Sequence, residues 1–184
     1  VPGAQLVCVY DSDWDKDADD MFAVKSELTG PLSFGSAVAI YRDSLLVGAH
    51  AAENARGVVF LYSRNPVTKK WDNRPLETFY GKNGMNYGLS VALSQDFAVV
   101  GAPVQDHATN LSDKPRRELD VPTVSVFERD ALTAQWSNEA VRILVGARNS
   151  AFGSSVSIAP SGTHLLASSV AYENNNVPVV ANTC

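Results

Sequence analysis

The sequence predicts an all-β chain built from repeated units of four short antiparallel strands, and three observations carry that prediction. Apolar runs of five to seven residues alternate Val, Leu, Ile and Phe with small residues and end at Gly, Pro, Asn, Asp or Ser, the pattern of half-buried strands. No stretch sustains a helical apolar period. Three segments also recur in register: "FGSAVAIYRDSLLVGAH" from Phe34, "YGLSVALSQDFAVVGAP" from Tyr87 and "FGSSVSIAPSGTHLLAS" from Phe152. Repetition at a period of this length marks a chain built from stacked supersecondary units.

Taken in order, residues 1–31 form the second half of a unit, because "AQLVCVY" aligns with the later "GVVFLY" and "TVSVFE". Residues 32–84 make a whole unit: the aromatic-glycine strand, the strand ending at Gly48, the "GVVFLY" strand, a turn to Trp71, and a last strand in "DNRPLETFY". That last stretch contains helix formers, but its place before the next repeat assigns it to a strand. Residues 85–149 repeat the plan. Tyr62 precedes Trp71, and Phe127 precedes Trp136, by the same 9 residues, and each Trp precedes the next aromatic-glycine pair by 16. The periods are 53 and 65 residues, and the 12-residue difference falls in an insertion within 104–121. Residues 150–184 are a partial unit whose turn reads one residue longer and places Ala167 where the others have Gly. In "DSDWDKDADD" the acidic stretch fills the turn before the last strand of the first half-unit, with Met21 or Phe22 at the tryptophan position.

Four strands per repeat is the composition of a β-propeller blade, and rings commonly close with about four to eight blades. Half a blade, two blades and a further partial one therefore predict an incomplete ring, to be completed by further blades of the same protein or by other chains. Cys8 and Cys184, the only two cysteines, fall where a disulfide could staple such a junction.

Composition excludes several classes. The net charge is −5, and Asp11–Asp20, with six Asp and one Lys, accounts for all of it. The densest basic run is "KPRR" at 114–117, so the sequence offers no nucleic-acid footprint. No apolar run reaches the roughly 18 residues of a membrane helix. Serine, histidine and aspartate occur, but no Gly-x-Ser-x-Gly elbow and no distinguished carboxylate pair, so no catalytic residue is assigned and an enzyme is not expected. The three histidines, His50, His107 and His164, occupy non-equivalent repeat positions and read as exposed loop residues. Asp11, Asp13 and Asp15 stand at positions 1, 3 and 5 of a calcium-loop pattern, but Lys16 replaces the turn glycine and Phe22 the bidentate glutamate. They are the only metal candidates, calcium the only candidate cofactor, and an acidic edge that repels strand pairing is the plainer reading. Trp71 and Trp136 read as structural plugs between blades.

The aromatic-glycine strands followed by "LLVGAH" and "AVVGAP" resemble FG-GAP repeats, the blades of integrin-α-type propellers. The resemblance covers roughly residues 4–180, with "LLASS" departing from the pattern in the third copy. It implies an extracellular or cell-surface, non-enzymatic propeller segment serving adhesion, recognition or surface architecture. A carbohydrate-binding propeller, stacking sugar on Trp14 or loop aromatics, and an accessory propeller of a secreted enzyme are the alternatives. Where family members bind calcium, the acidic loop joins the aromatic-glycine and "GAP" strands. Here those loops are "YRDS", "SQDF" and "APSGT", with one Asp or none. Asn110, in Asn110-Leu111-Ser112, is a glycan acceptor in such a setting. Arg116, Arg117 and Glu118 in the insertion are the expected partner contacts, with glycans as a further partner class.

Overall fold

The computed structural model describes residues 5–9, 20–23, 33–68, 70–72, 74–81, 86–103, 121–147 and 150–169. Twelve strands and one helical turn make up their regular structure, so the fold is all-β. A two-stranded hairpin, β1 (Leu6–Val9) with β2 (Asp20–Ala23), comes first. Then follow two four-stranded antiparallel sheets in sequential order. The first holds β3 (Phe34–Tyr41), β4 (Ser44–Ala49), β5 (Val58–Ser63) and β6 (Glu77–Tyr80). The second holds β7 (Ser90–Leu93), β8 (Phe97–Ala102), β9 (Thr123–Glu128) and β10 (Arg142–Val145). A last hairpin pairs β11 (Ser155–Ile158) with β12 (Leu165–Ser168). The helical turn α1 (Ala52–Ala55) links β4 to β5.

Each sheet stacks face to face on the next, as propeller blades do: β3 and β4 lie against β7, and β7 and β8 against β11. Three apolar layers result. Between the leading hairpin and the first blade lie Phe34, Leu45, Val47, Tyr62 and Trp71, with Val7 and Val9 upon them. Between the two complete blades lie Leu46, Leu61, Phe79, Val91, Phe127 and Trp136. Val156, Ile158 and Leu165 close over Ala92, Val99 and Val124 in the third. Trp71 and Trp136 are 8% and 6% exposed, so their ring faces are spent on blade packing and cannot stack on a sugar.

The motif glycines do this packing work. Gly101 in β8 is pressed against the carbonyl of Gly153, so a Cβ there would collide with that backbone oxygen and with Ser90 Oγ. Gly153 has φ +86°, a left-handed conformation that costs glycine nothing and other residues dearly. Ser90 Oγ fixes the junction by donating to the Gly153 carbonyl at 2.7 Å. Gly48 meets Gly88 in the same way one blade earlier. The glycine ending one blade's second strand and the aromatic-glycine pair opening the next are thus two halves of one interblade contact.

The pairing register corrects two sequence expectations. Four residues (41–44, 94–97) separate Ile40↔Leu45 and Leu93↔Ala98, whereas six (159–164) separate Ile158↔Leu165. The third turn is therefore two residues longer, and Ser168, opposite Ser155, takes the place of Gly101, opposite Ser90. Ala167 is the counterpart of Val100. Ser168 is exposed, so its side chain meets none of the pressure that demands glycine at 101. In the first hairpin Val7 pairs Phe22 as Val59 pairs Phe79. Phe22 is then the counterpart of Phe79, not of a tryptophan, and counting back the same eight residues gives Trp14, which lies outside the described residues.

Candidate functional site

The outer flank between the two complete blades carries the site, and a paired exchange between repeats creates it. Phe60 faces Val47 in the first blade as Ser125 faces Val100 in the second, so the two are equivalent. Phe60 fills its interblade space, its ring edge-on to Phe34 at 5.6 Å and 62°. Across the next junction the aromatic is Tyr87, whose hydroxyl is hydrogen-bonded to that of Ser125. Replacing a phenyl ring by a hydroxymethyl group satisfies the phenol and leaves room. A cleft of about 540 Å³ opens there, lined by Phe79, Tyr87, Ser125, Phe127, Ile143 and Val145.

The floor of the cleft is rigid. Phe79 and Phe127 stack across the blade boundary with centroids 4.0 Å apart and planes 28° apart, and Phe79 is 2% exposed. Burial pushes the Tyr87 phenol well above its ordinary range, with the Ser125 hydrogen bond offsetting part of that rise, so Tyr87 stays neutral. One side of the cleft is secured by Arg56, whose Nε donates to the Gly81 carbonyl at 2.6 Å while its guanidinium lies 5.2 Å from the Tyr80 ring centre. Glu139 is the one charged lining residue among the described residues. The described lining can bury apolar or aromatic groups and offer hydroxyls, and among the described residues Glu139 has no acid–base partner in the cleft.

Strand β10 borders this cleft with an unusually apolar edge. All four of its residues are exposed, with Ile143 at 57% and Val145 at 63%. Leu144, opposite Val124, corresponds to Phe79, opposite Val59. Phe79 is covered by the second blade, whereas no strand among the described residues covers Leu144.

Most of the sequence-derived sites are outside the described residues. Asp11, Asp13, Asp15, Asn110, Arg116, Arg117, Glu118, His107 and Cys184 fall outside the described residues. Cys8 sits in β1 opposite Met21, and its side chain is likewise outside them. His164 is exposed and lies 2.9 Å from Thr163 Oγ1. His50 departs from expectation: it is half-buried, with Nδ1 at 3.0 Å from Ser36 Oγ. Among the described residues no three His, Cys, Asp or Glu side chains cluster as metal ligands would, and no helix is long and apolar enough to cross a membrane. Sequence reasoning missed Ser125 and Tyr87. Their signal was present, as the paired change from Phe34 and Phe60 to Tyr87 and Ser125 between two aligned repeats.

Comparison with curated proteins yields no significant match. The family model for the FG-GAP repeat matches residues 81–115, a span that starts at the end of β6, holds the Tyr87-Gly88 pair and both inner strands of the second blade, and runs on through Gly101-Ala102-Pro103. Residues 81–115 of this chain therefore match an FG-GAP repeat, centred on the β7–β8 pair of the second blade.

Proposed function

We propose that the chain is a segment of an extracellular, non-enzymatic propeller that serves adhesion or surface architecture by binding another protein chain at the flank between its complete blades. The observation that carries this reading is the β10 edge, which no strand among the described residues pairs, beside the Tyr87–Ser125 cleft. An edge strand presents unpaired backbone donors and acceptors, and proteins normally blunt such edges with charge. Here Arg142 is the one charged residue of the strand, and the rest of the edge is isoleucine, leucine and valine next to an apolar cleft, a combination suited to an added strand whose alternate side chains enter the cleft. FG-GAP repeats typically belong to extracellular, non-catalytic proteins, which supports the setting.

The partner in this reading is a further strand-bearing chain, a copy of this protein included. Sedimentation of the purified chain from about 1 to 100 μM tests it, a range in which weak interfaces of this size associate. Concentration-dependent association that Ile143→Lys with Val145→Glu abolishes, without lowering the melting temperature, supports the reading. A wild-type chain that stays monomeric throughout, with hydrogen exchange of the β10 amides as slow as that of β9, refutes an available edge.

A further inference from the structure

The first interblade junction shows what the second one lacks. At the first, three rings of one blade lie together: Phe60 meets Phe34 edge-on, with centroids 5.6 Å apart and planes 62° apart, and lies 6.4 Å from Tyr62 at 37°. The pairing register gives each ring a counterpart at the second junction. Phe60 corresponds to Ser125, and Tyr62, opposite Leu45, corresponds to Phe127, opposite Ala98. Phe34 and Tyr87 open equivalent aromatic-glycine pairs, 53 residues apart. Two of the three rings are therefore kept at the second junction, and the one that touches both others is a serine.

The neighbouring strand does not refill that place. Ile143 lies opposite Ser125 in the pairing register, and its counterpart in the first blade is Thr78, opposite Phe60. Bulk has thus moved from the third strand of the blade to the fourth. Yet Ile143 is 57% exposed, so more than half of it stays out of the cleft. The volume that remains is about 540 Å³, within the range of pockets that hold small organic groups.

The walls around the vacant place are already set. Phe79 and Phe127 hold each other in a stack at 4.0 Å, and both rings are buried, as is Tyr87. The hydroxyls of Ser125 and Tyr87 are hydrogen-bonded to each other. Among the described residues no buried side-chain nitrogen or oxygen lacks a partner. An apolar ring entering beside Ser125 therefore strands no donor or acceptor of these walls, the usual cost of covering polar groups.

We infer that the cleft is a binding site for a phenyl ring, the side chain of a phenylalanine brought by the partner chain. The inference rests on the proposed function for the carrier of the ring, and on the comparison of the two junctions for the ring itself. Seated there, the ring meets Tyr87 as Phe60 meets Phe34, and Phe127 as Phe60 meets Tyr62. Both first-junction separations, 5.6 and 6.4 Å, fall in the range of about 4.5–7 Å that paired rings prefer. An aliphatic side chain of similar size fills the same volume but has no quadrupole to set against the three ring walls.

The test titrates the folded chain with N-acetyl-phenylalaninamide and, separately, with its cyclohexylalanine counterpart, which is similar in size and more apolar but has no π face. NMR follows the Ser125 amide and the Ile143 methyl groups. Saturable shifts are expected with the phenyl probe, at an affinity about 3-fold or more above that of the cyclohexyl probe. Intermolecular NOEs should run from the probe ring to the rings of Tyr87 and Phe127. Ser125→Phe places a ring in the cleft from within and should abolish probe binding. Where overpacking unfolds that variant, Tyr87→Phe with Ser125→Phe restores the Phe34–Phe60 pairing and should fold without binding the probe. Absent shifts, equal affinity for the two probes, NOEs confined to other rings, or undiminished binding to a folded Ser125→Phe variant each overturn the site. The docking reading and the ring site fail separately. A chain that stays monomeric yet binds the phenyl probe against Tyr87 and Phe127 supports the ring site while a copy of the chain falls as partner. Association through β10 in a chain that ignores the probe keeps the edge and overturns the ring site.

Discussion

Adding one methyl group at Gly101 should destabilise the protein as much as emptying a core position does. The Cβ of Gly101→Ala would fall on the Gly153 carbonyl oxygen and on Ser90 Oγ. The first obstacle is backbone, pinned by the Gly153 amide donating to the Ser168 carbonyl at 2.9 Å. The second can rotate away only by giving up its 2.7 Å hydrogen bond to Gly153. An overpacked core costs about 1–3 kcal/mol, and a buried polar group left unpaired costs about 1–3 kcal/mol more. The expected loss is therefore about 3 kcal/mol, or roughly 6–12 °C in melting temperature for a chain of this length. Guanidinium unfolding followed by circular dichroism measures it. Ser90→Ala should cost less by itself, and Gly101→Ala should cost less in that background than in the wild type, since one obstacle is already gone. A Gly101→Ala loss below about 0.5 kcal/mol, the range of ordinary surface changes, would refute the claim that the motif glycines are interblade contact points.

Two further predictions concern the cleft. Phe79→Ala removes a ring stacked at 4.0 Å on Phe127 and should cost about 3–5 kcal/mol, whereas Leu144→Ala at the equivalent but exposed position should cost well under half of that in the isolated chain; comparable losses would mean that Leu144 is covered. Burial raises the Tyr87 phenol above its ordinary value and pushes Tyr62 up to about 12. Both phenols ionise more readily unfolded, so the associated stability is full below about pH 10 and falls as pH rises beyond it, by up to about 1.4 kcal/mol per pH unit per tyrosine. Urea unfolding at a series of pH values should show this decline, with Tyr87→Phe reducing its slope; stability that stays flat to pH 11.5 would contradict the burial of these rings.

The strands and their grouping were legible because a strand's apolar alternation is a local property, and repetition multiplied the signal. Leu45–Val47, Val58, Val59, Leu61 and Ala98–Val100 are buried where the apolar runs said they would be. Register was less legible. The turn before Leu165 reads one residue longer by motif alignment and is two longer by pairing, because Ala167 and Ser168 are both small and only the hydrogen-bond partner decides between them. The candidate sites were hardest to see. Ser125 is an unremarkable serine until the ring of Phe60 is seen filling the same place one blade earlier.

By itself the sequence determined an all-β repeat, the position of each blade strand and the aromatic-glycine signature, since these follow from periods of two residues and of one blade. Only the tertiary structure decided that Gly101 touches Gly153 and that Ser125 opens a cleft beneath Ile143. The physical reason is that blade stacking joins residues tens of positions apart through contact and volume, and neither leaves a mark on local composition.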